Sequence, residues 1–349
     1  MVKLYFNKIR RLETVTIKDI AKALNLSTST VSRALRGSYE INAETKRLVM
    51  EYAEKVNYSP NPIALSLKEN KSRAIGVIVP EIANHFFSQA INGIEDVANK
   101  RGYHVVIFQS HESYQREVTN IQHIIARKVD GLLISLSGQT NDVIHLQEIQ
   151  QKKLPLVLFD RVSDKIEAHK VVADNFDGSF KATEHLIVSG RRRIAHITSP
   201  SLLSITKERL AGYKAALEKY SICYDESLVK YCGFGSEEVK KLVEDLIENQ
   251  KPDAIFTTSD RLALDCFSAI KEQGILIPEQ LSFIGFTNLK VAHLLAPSLS
   301  TIVQPAFEIG QTAAELLLDS IERKSQNIEQ FQTIKISTEM VVRKSSVFN

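Results

Sequence analysis

Residues 16–35 read TIKDIAKALNLSTSTVSRAL, and the rest of the chain is best understood outward from them. Thr16 and Asp19 stand three apart, the Ser/Thr-x-x-Asp/Glu start of a helix. Ile17, Ile20, Ala21 and Leu24 then share one face. Asn25 and Leu26 break the run, and Ser27 caps a second helix over 28–35 with Val31 and Leu35 turned inward. Asn42 caps a third, whose apolar stripe is Leu48, Val49, Tyr52 and Val56. Two short helices joined by a tight turn and braced by a third make a helix-turn-helix.

The outward face of the second helix carries Thr28, Ser29, Ser32 and Arg33. Small polar side chains let a helix lie deep in a major groove roughly 12 Å wide, and an arginine there reaches a guanine edge with two hydrogen bonds. The alternative is an ordinary solvated face; the three-helix frame favours DNA. Downstream, residues 58–68 read YSPNPIALSLK. Asn61 suits a cap and Pro62 the first helical position, yet so short a helix is unstable alone in water. Ala64 permits close packing and Leu67 offers an apolar wedge. The segment is expected to fold when two copies meet in a minor groove, where a wedge unstacks a base step. A plain linker is the competing reading. Residues 1–14 show no periodicity and read as a disordered arm.

Past residue 73 the period changes. Short apolar runs at 74–79 (AIGVIV), 105–108, 131–134, 156–159, 194–198, 254–257 and 281–286 alternate with amphipathic stretches of helical period. A loop near 160–175 separates two such series. The fold class is therefore α/β: a helical head followed by two lobes, each a doubly wound parallel sheet covered by helices on both faces. Such sheets bind ligands beyond the carboxyl ends of their strands. Asp160 and Asp260 each follow an apolar run, although Asp160 also suits a charge partner for Arg161 and Asp260 a helix cap.

Charge is unevenly spread. Residues 1–73 hold 14 Lys and Arg against 7 Asp and Glu, while the remainder holds 30 against 34. A basic head on a mildly acidic body fits a nucleic-acid module joined to something else. The three cysteines, Cys223, Cys232 and Cys266, lack metal-ligand spacing, and such thiols suit a reducing cytoplasm. No apolar run reaches the roughly 18 residues of a membrane helix, and the N-terminus lacks the pattern of a signal peptide. Neither a metal nor a cofactor is expected: phosphate-loop, dinucleotide, zinc-protease and nucleophile-elbow motifs are all missing. The nine histidines show no ligand spacing, and Arg191, Arg192 and Arg193 read as a solvated turn.

The segments VTIKDIAKALNLSTSTVSRAL, YSPNPIALSL, AIGVIVP, VDGLLI, RLAGY and SLSTIVQP together resemble the LacI/GalR family, over about residues 15–347. The resemblance implies a dimeric repressor on a palindromic operator, with Thr16, Ser27, Thr28, Ser29, Thr30, Ser32 and Arg33 at DNA-contacting positions. Asn61, Ala64 and Leu67 match hinge positions in the central minor groove. It implies a periplasmic-binding-protein-like core with a small effector, a carbohydrate or derivative, between the lobes. The matching positions are Asn84, Phe86, Asp160, Asn175, Arg209, Phe234 and Asp260. The family usually places Asp after the aromatic of GYDN; here GFTN puts Thr287 there, a weaker and neutral acceptor. The domains expected are 15–60 for the head, 61–72 for the hinge and 73–349 for the core. Its first lobe would take about 73–172 and 303–328, its second about 173–302 and 329–349. No heptad tail follows, so a tetramer is not expected. For Arg209 the competing role is a surface salt bridge, and for Phe86 and Phe234 a place in the core. A solute receptor would fit the core but not the basic head; an enzyme of the doubly wound class would need a nucleophile and base that are not visibly placed.

Overall fold

The computed structural model describes residues 15–58, 71–233, 235–286, 289–322 and 330–347. The expectations for the 1–14 arm, for Asn61, Ala64 and Leu67, and for Phe234 and Thr287 lie outside the described residues. The chain divides into two units, 1–72 and 73–349.

In the head, α1 (Ile17–Ala23), α2 (Thr28–Leu35) and α3 (Ala43–Lys55) begin where their caps sit. Thr16 forms a full capping box with Asp19. The Ser27 hydroxyl accepts from the Thr30 amide at 3.0 Å, and Asn42 accepts from the Thr45 amide at 2.7 Å. Each satisfies a helix-end donor that would otherwise lack a partner. The turn after α1 passes through Asn25 at φ 50°, a left-handed geometry that Asn tolerates. Ile20, Val31 and Val49 fill the centre, with Ala21, Ala34 and Ala53 allowing the helices close approach. Leu48 does not belong to this stripe: it is 43% exposed, because the inward row of α3 runs through Val49 and Ala53.

The core holds two six-stranded sheets. The first has the order β11-β5-β4-β3-β1-β2, all parallel, from β1 (Ala74–Val79), β2 (His104–Gln109), β3 (Gly131–Ile134), β4 (Leu156–Phe159), β5 (His169–Ala173) and β11 (Thr333–Ile336). The second has the order β12-β10-β9-β8-β6-β7, from β6 (Ile194–Thr198), β7 (Val229–Tyr231), β8 (Ala254–Thr257), β9 (Ser282–Phe286), β10 (Ser300–Val303) and β12 (Glu339–Val341). Only β12 runs antiparallel there. The AIGVIV run is buried on both faces: Ile75, Val77 and Val79 pack into one cluster and Ile78 into the other. That is why it lacks the alternation of a half-exposed strand.

Helices α4 (His85–Lys100), α5 (Tyr114–Ala126), α6 (Ile144–Gln151) and α11 (Ala306–Glu322) cover the first sheet. Helices α7 (Asn175–Val188), α8 (Ser204–Lys219), α9 (Ser236–Asp245) and α10 (Asp260–Glu272) belong to the second lobe. The backbones of α4 and α11 touch. A Cβ on Gly93 would lie 2.1 Å from the Phe307 carbonyl oxygen, and one on Gly310 would lie 2.0 Å from that of Ala90.

The chain crosses between lobes three times, after β5, after β10 and after β11. The loop expected near 160–175 therefore contains a strand, β5. The segment 329–349, assigned above to the second lobe, is shared: Thr333–Ile336 hydrogen-bonds alongside Lys170–Ala173 of the first sheet before β12 joins the second. The basic run is not a solvated turn either. Arg191 is buried, donating to the Ser282 hydroxyl at 3.0 Å and to the Pro278 carbonyl, while Arg192 and Arg193 remain exposed.

Candidate functional site

The outward face of α2 presents Thr28, Ser29 and Arg33 to solvent. Other expected DNA residues are occupied. The Thr16 hydroxyl donates to the Asp19 carboxylate at 2.6 Å. The hydroxyl of Ser27 bonds those of Ser29 at 2.7 Å and Thr30 at 2.8 Å. Ser32 is held by Arg36, whose guanidinium donates to its hydroxyl at 2.6 Å and its carbonyl at 3.2 Å. Arg33 is paired with Glu40 at 3.2 Å. The expectations above named neither Arg36 nor Glu40, although the spacing of four from Ser32 puts Arg36 on the same helix face. Tyr39, 94% exposed, projects from the same turn.

In the core, strand ends from both lobes meet at a cleft lined by Asn84, Phe86, Phe87, Asp160, Arg161, Ile205, Arg209, Thr258, Ser259, Asp260 and Gln304. Arg209 of α8 is its central cation and is 2% exposed. Its Nε donates to Asn175 Oδ1 at 2.9 Å, its Nη1 to the Thr258 carbonyl at 2.5 Å and its Nη2 to Gln304 Oε1 at 3.2 Å. The guanidinium carbon lies 4.0 Å from the centre of the Phe286 ring, a cation–π contact. Three of five N–H donors are thus taken by described residues, leaving one on each terminal nitrogen. Burial pulls the Arg209 pKa down to about 10, with Asp160 acting in the opposite sense. It remains a cation at neutral pH and is no surface salt bridge.

Asn175 stands behind the cleft rather than in its lining. It orients Arg209, and its own Nδ2 donates to the Ala173 carbonyl at 3.1 Å and to Glu208 at 2.9 Å. Asp160 follows β4 at φ 58°, a backbone region that costs a non-glycine residue on the order of 1 kcal/mol or more. Desolvation raises its pKa to about 6, partly opposed by Arg161 and Arg209. The stronger partner of Arg161 is Glu112, held at 3.0 and 2.7 Å, against 3.9 Å to Asp160. Asp260 does not cap its helix: Ser259 does, accepting from the Leu262 amide at 3.3 Å, and Asp260 occupies the first turn. Asn84 caps α4 by accepting from the Phe86 amide at 2.9 Å, which sets Phe86 at the cleft wall.

Sequence reasoning missed Phe87, Arg161, Ile205, Thr258, Ser259 and Gln304 among the lining residues. Ser259 follows β8 closely, so the strand-end rule could have found it, whereas Gln304 follows β10, which no apolar run announces. Two larger recesses, of about 570 and 460 Å³, adjoin the cleft and share Arg161 with it. Among the described residues no group of His, Cys, Asp and Glu has a geometry to hold a metal ion. No described helix is long and apolar enough to cross a membrane.

Comparison with known proteins agrees in both units. The family model "Bacterial regulatory proteins, lacI family" matches residues 16–61, and "Periplasmic binding protein-like domain" matches 183–346. The HTH-type transcriptional repressor CytR of Escherichia coli (strain K12) is 37% identical over 317 residues, covering 90% of this chain and 92% of that protein. The structure of a transcriptional regulator CelR–cellobiose complex is 26% identical with a TM-score of 0.72, covering 95% and 99% of the two chains. A lac repressor dimer bound to operator and the anti-inducer ONPF superposes with a TM-score of 0.84 at 23% identity, covering 96% and 100%, a likeness of fold. The chain belongs to the LacI family of bacterial regulatory proteins.

Proposed function

We propose that this chain is a transcriptional repressor that binds a palindromic operator as a dimer, in the cytoplasm, with an affinity set by a small molecule in the cleft between its lobes. It has no catalytic role in this reading. Thr28, Ser29, Ser32 and Arg33 would face the DNA from α2, supported by the helix caps Thr16 and Ser27, by Thr30 bonded to Ser27, and by Asn61, Ala64 and Leu67 in the hinge. Asn84, Phe86, Asp160, Arg209 and Asp260 would face the effector, with Asn175 holding Arg209 and with Phe234 and Thr287 completing the set.

The observation that carries the reading is the guanidinium of Arg209. It is buried, fixed by three hydrogen bonds and left with two donors, in a cleft that also holds the carboxylates of Asp160 and Asp260. A fork of two donors beside acceptors suits a neutral, hydroxyl-rich ring, and Phe86, Phe87 and Ile205 offer apolar surface for its C–H face. A carbohydrate or its derivative has that chemistry, as cellobiose does in the CelR complex. An effector shifts operator affinity only by binding one arrangement of the lobes better than the other.

The test has two arms. Selection of the purified protein against random duplexes should return a palindrome. A thermal-shift screen of sugars and derivatives should raise the melting point for a class of ligands, by mass action, and the same ligands should change operator affinity. Absence of any sequence preference would overturn the regulatory reading. Stabilisation by no carbohydrate, with stabilisation by another class, would overturn the ligand class alone.

A further inference from the structure

Among the described residues of the head, one carboxylate, that of Glu40, is paired with the arginine of the outward face of α2. Of the five acidic residues between 15 and 58, Asp19 serves the α1 capping box, Glu44 lies in the first turn of α3, Glu51 pairs with Arg47 at 3.0 Å within α3, and Glu54 is exposed near the end of that helix. Glu40 is the one that pairs, among the described residues, with a side chain of α2, at 3.2 Å from Arg33 Nη1. Both partners are about half exposed, 56% and 49%. Exposed pairs of this kind add little to stability, so the fold does not account for the carboxylate. The turn presenting it is nonetheless well defined. Gly37 takes φ 74°, the Ser38 amide donates to the Arg33 carbonyl at 3.1 Å, and Lys46 donates to the Gly37 carbonyl at 3.4 Å.

We propose that Glu40 is a specificity-determining residue: it masks Arg33 from anionic phosphates, so that the arginine engages only a neutral base edge that takes it with two hydrogen bonds. The proposal rests on the assignment of α2 as the recognition helix. Away from the operator, DNA offers Arg33 mainly phosphate oxygens. Binding one through Nη1 means breaking the Glu40 pair and leaving a free carboxylate facing a polyanion. A phosphate is an anion, so Glu40 opposes that contact whether the pair breaks or holds, and the cost falls on every non-cognate complex. On the operator a guanine edge is neutral, and its two acceptors can take the Nε–Nη2 edge of Arg33 while Nη1 keeps Glu40, so the pair need not break. Discrimination is a difference of affinities and is widened by weakening the wrong complex as well as by strengthening the right one. A lysine could not serve, because it lacks the planar fork that separates base edge from phosphate.

The experiment uses the full chain and two labelled duplexes, the selected operator and a scrambled sequence, with binding followed by fluorescence anisotropy across a salt series. Glu40→Gln should tighten scrambled-DNA binding by roughly three- to tenfold at low salt. The salt dependence of that binding should steepen by up to about 0.9 in log–log slope, the value of one additional phosphate contact. Operator affinity should change by less, so the operator-to-scrambled ratio falls. Glu51→Gln makes the same charge change within α3 and should leave the ratio unaltered. In an Arg33→Ala background, Glu40→Gln should no longer move the ratio. Equal tightening on both duplexes, a ratio that falls as far without Arg33, or a fall matched by Glu51→Gln would each overturn the proposal. If the unmodified chain shows no preference for any sequence, the regulatory reading fails first. A preference that Glu40→Gln leaves intact refutes the masking role alone.

Discussion

Asp160→Asn should stabilise the folded chain at neutral pH and far less at pH 4. The carboxyl is 4% exposed, and burial lifts its pKa from 3.8 to about 6, roughly two units. Each unit corresponds to about 1.4 kcal/mol, so the ionised side chain costs the native state on the order of 3 kcal/mol. Well below pH 3.8 the group is protonated whether the chain is folded or not, and it contributes nothing. Between about 4 and 6 the unfolded chain releases the proton while the folded chain keeps it, so stability falls as pH rises. Above about 6 the penalty is complete and constant. Denaturant unfolding or melting curves of both proteins from pH 4 to 8 measure the difference directly, and comparison cancels the other carboxylates. The curves should draw together toward pH 4 and separate to about 3 kcal/mol by pH 7, a shift of melting point on the order of 5 °C. A constant difference would place Asp160 in contact with solvent. A variant that loses stability toward neutral pH would show that Arg161 and Arg209 more than repay the buried charge. The same carboxylate predicts the ligand side: an effector donating a hydroxyl to Asp160 favours its ionised form, so affinity should rise as pH passes upward through about 6.

Other substitutions probe the packing and the caps. Gly310→Ala would place a methyl 2.0 Å from the Ala90 carbonyl oxygen; forcing α4 and α11 apart should cost roughly 2–4 kcal/mol, read as a lower denaturant midpoint, and an unchanged midpoint would refute backbone contact. Arg209→Lys keeps the charge but cannot satisfy Asn175, Thr258 and Gln304 together, so effector affinity should drop by roughly 2 kcal/mol. Titration of the effector checks this, and retained affinity would remove Arg209 from the site. Ser27→Ala deletes the cap of α2 and should lower the stability of the head by about 1 kcal/mol, measured by its melting; no change would mean that the hydroxyl is not capping.

The head was legible because its signals are local. Thr16, Ser27 and Asn42 announce helix starts, and the apolar residues between them repeat at helical spacing. The strands that were legible, such as 74–79 and 156–159, are buried on both faces and therefore read as continuous apolar runs. Those that escaped notice are short and polar on one side. HKVVA of β5 opens with His and Lys, TIKI of β11 alternates with exposed residues, and EMV of β12 spans three. β11 pairs with β5 across 163 residues, Lys170 to Thr333, and β12 with β10 across 40, Thr301 to Val341, separations that no local window contains. The site divides in the same way. Asp160 and Asp260 were found by their place after legible strands, while Gln304 was hidden with β10. Arg161 read as the partner of its neighbour Asp160, whereas its closer carboxylate, Glu112, arrives from another strand end.

The interlocking of α4 with α11, and of β5 with β11, has a consequence for biogenesis. On a translating ribosome the head is a contiguous stretch and can close early. The first lobe cannot. Its opening strands emerge long before the helix that covers them and the strand that borders them, both of which come after residue 305. During that interval the apolar surface awaiting α11 stays uncovered, so the nascent chain is most exposed to aggregation, and most in need of a chaperone, while its second lobe is still being made.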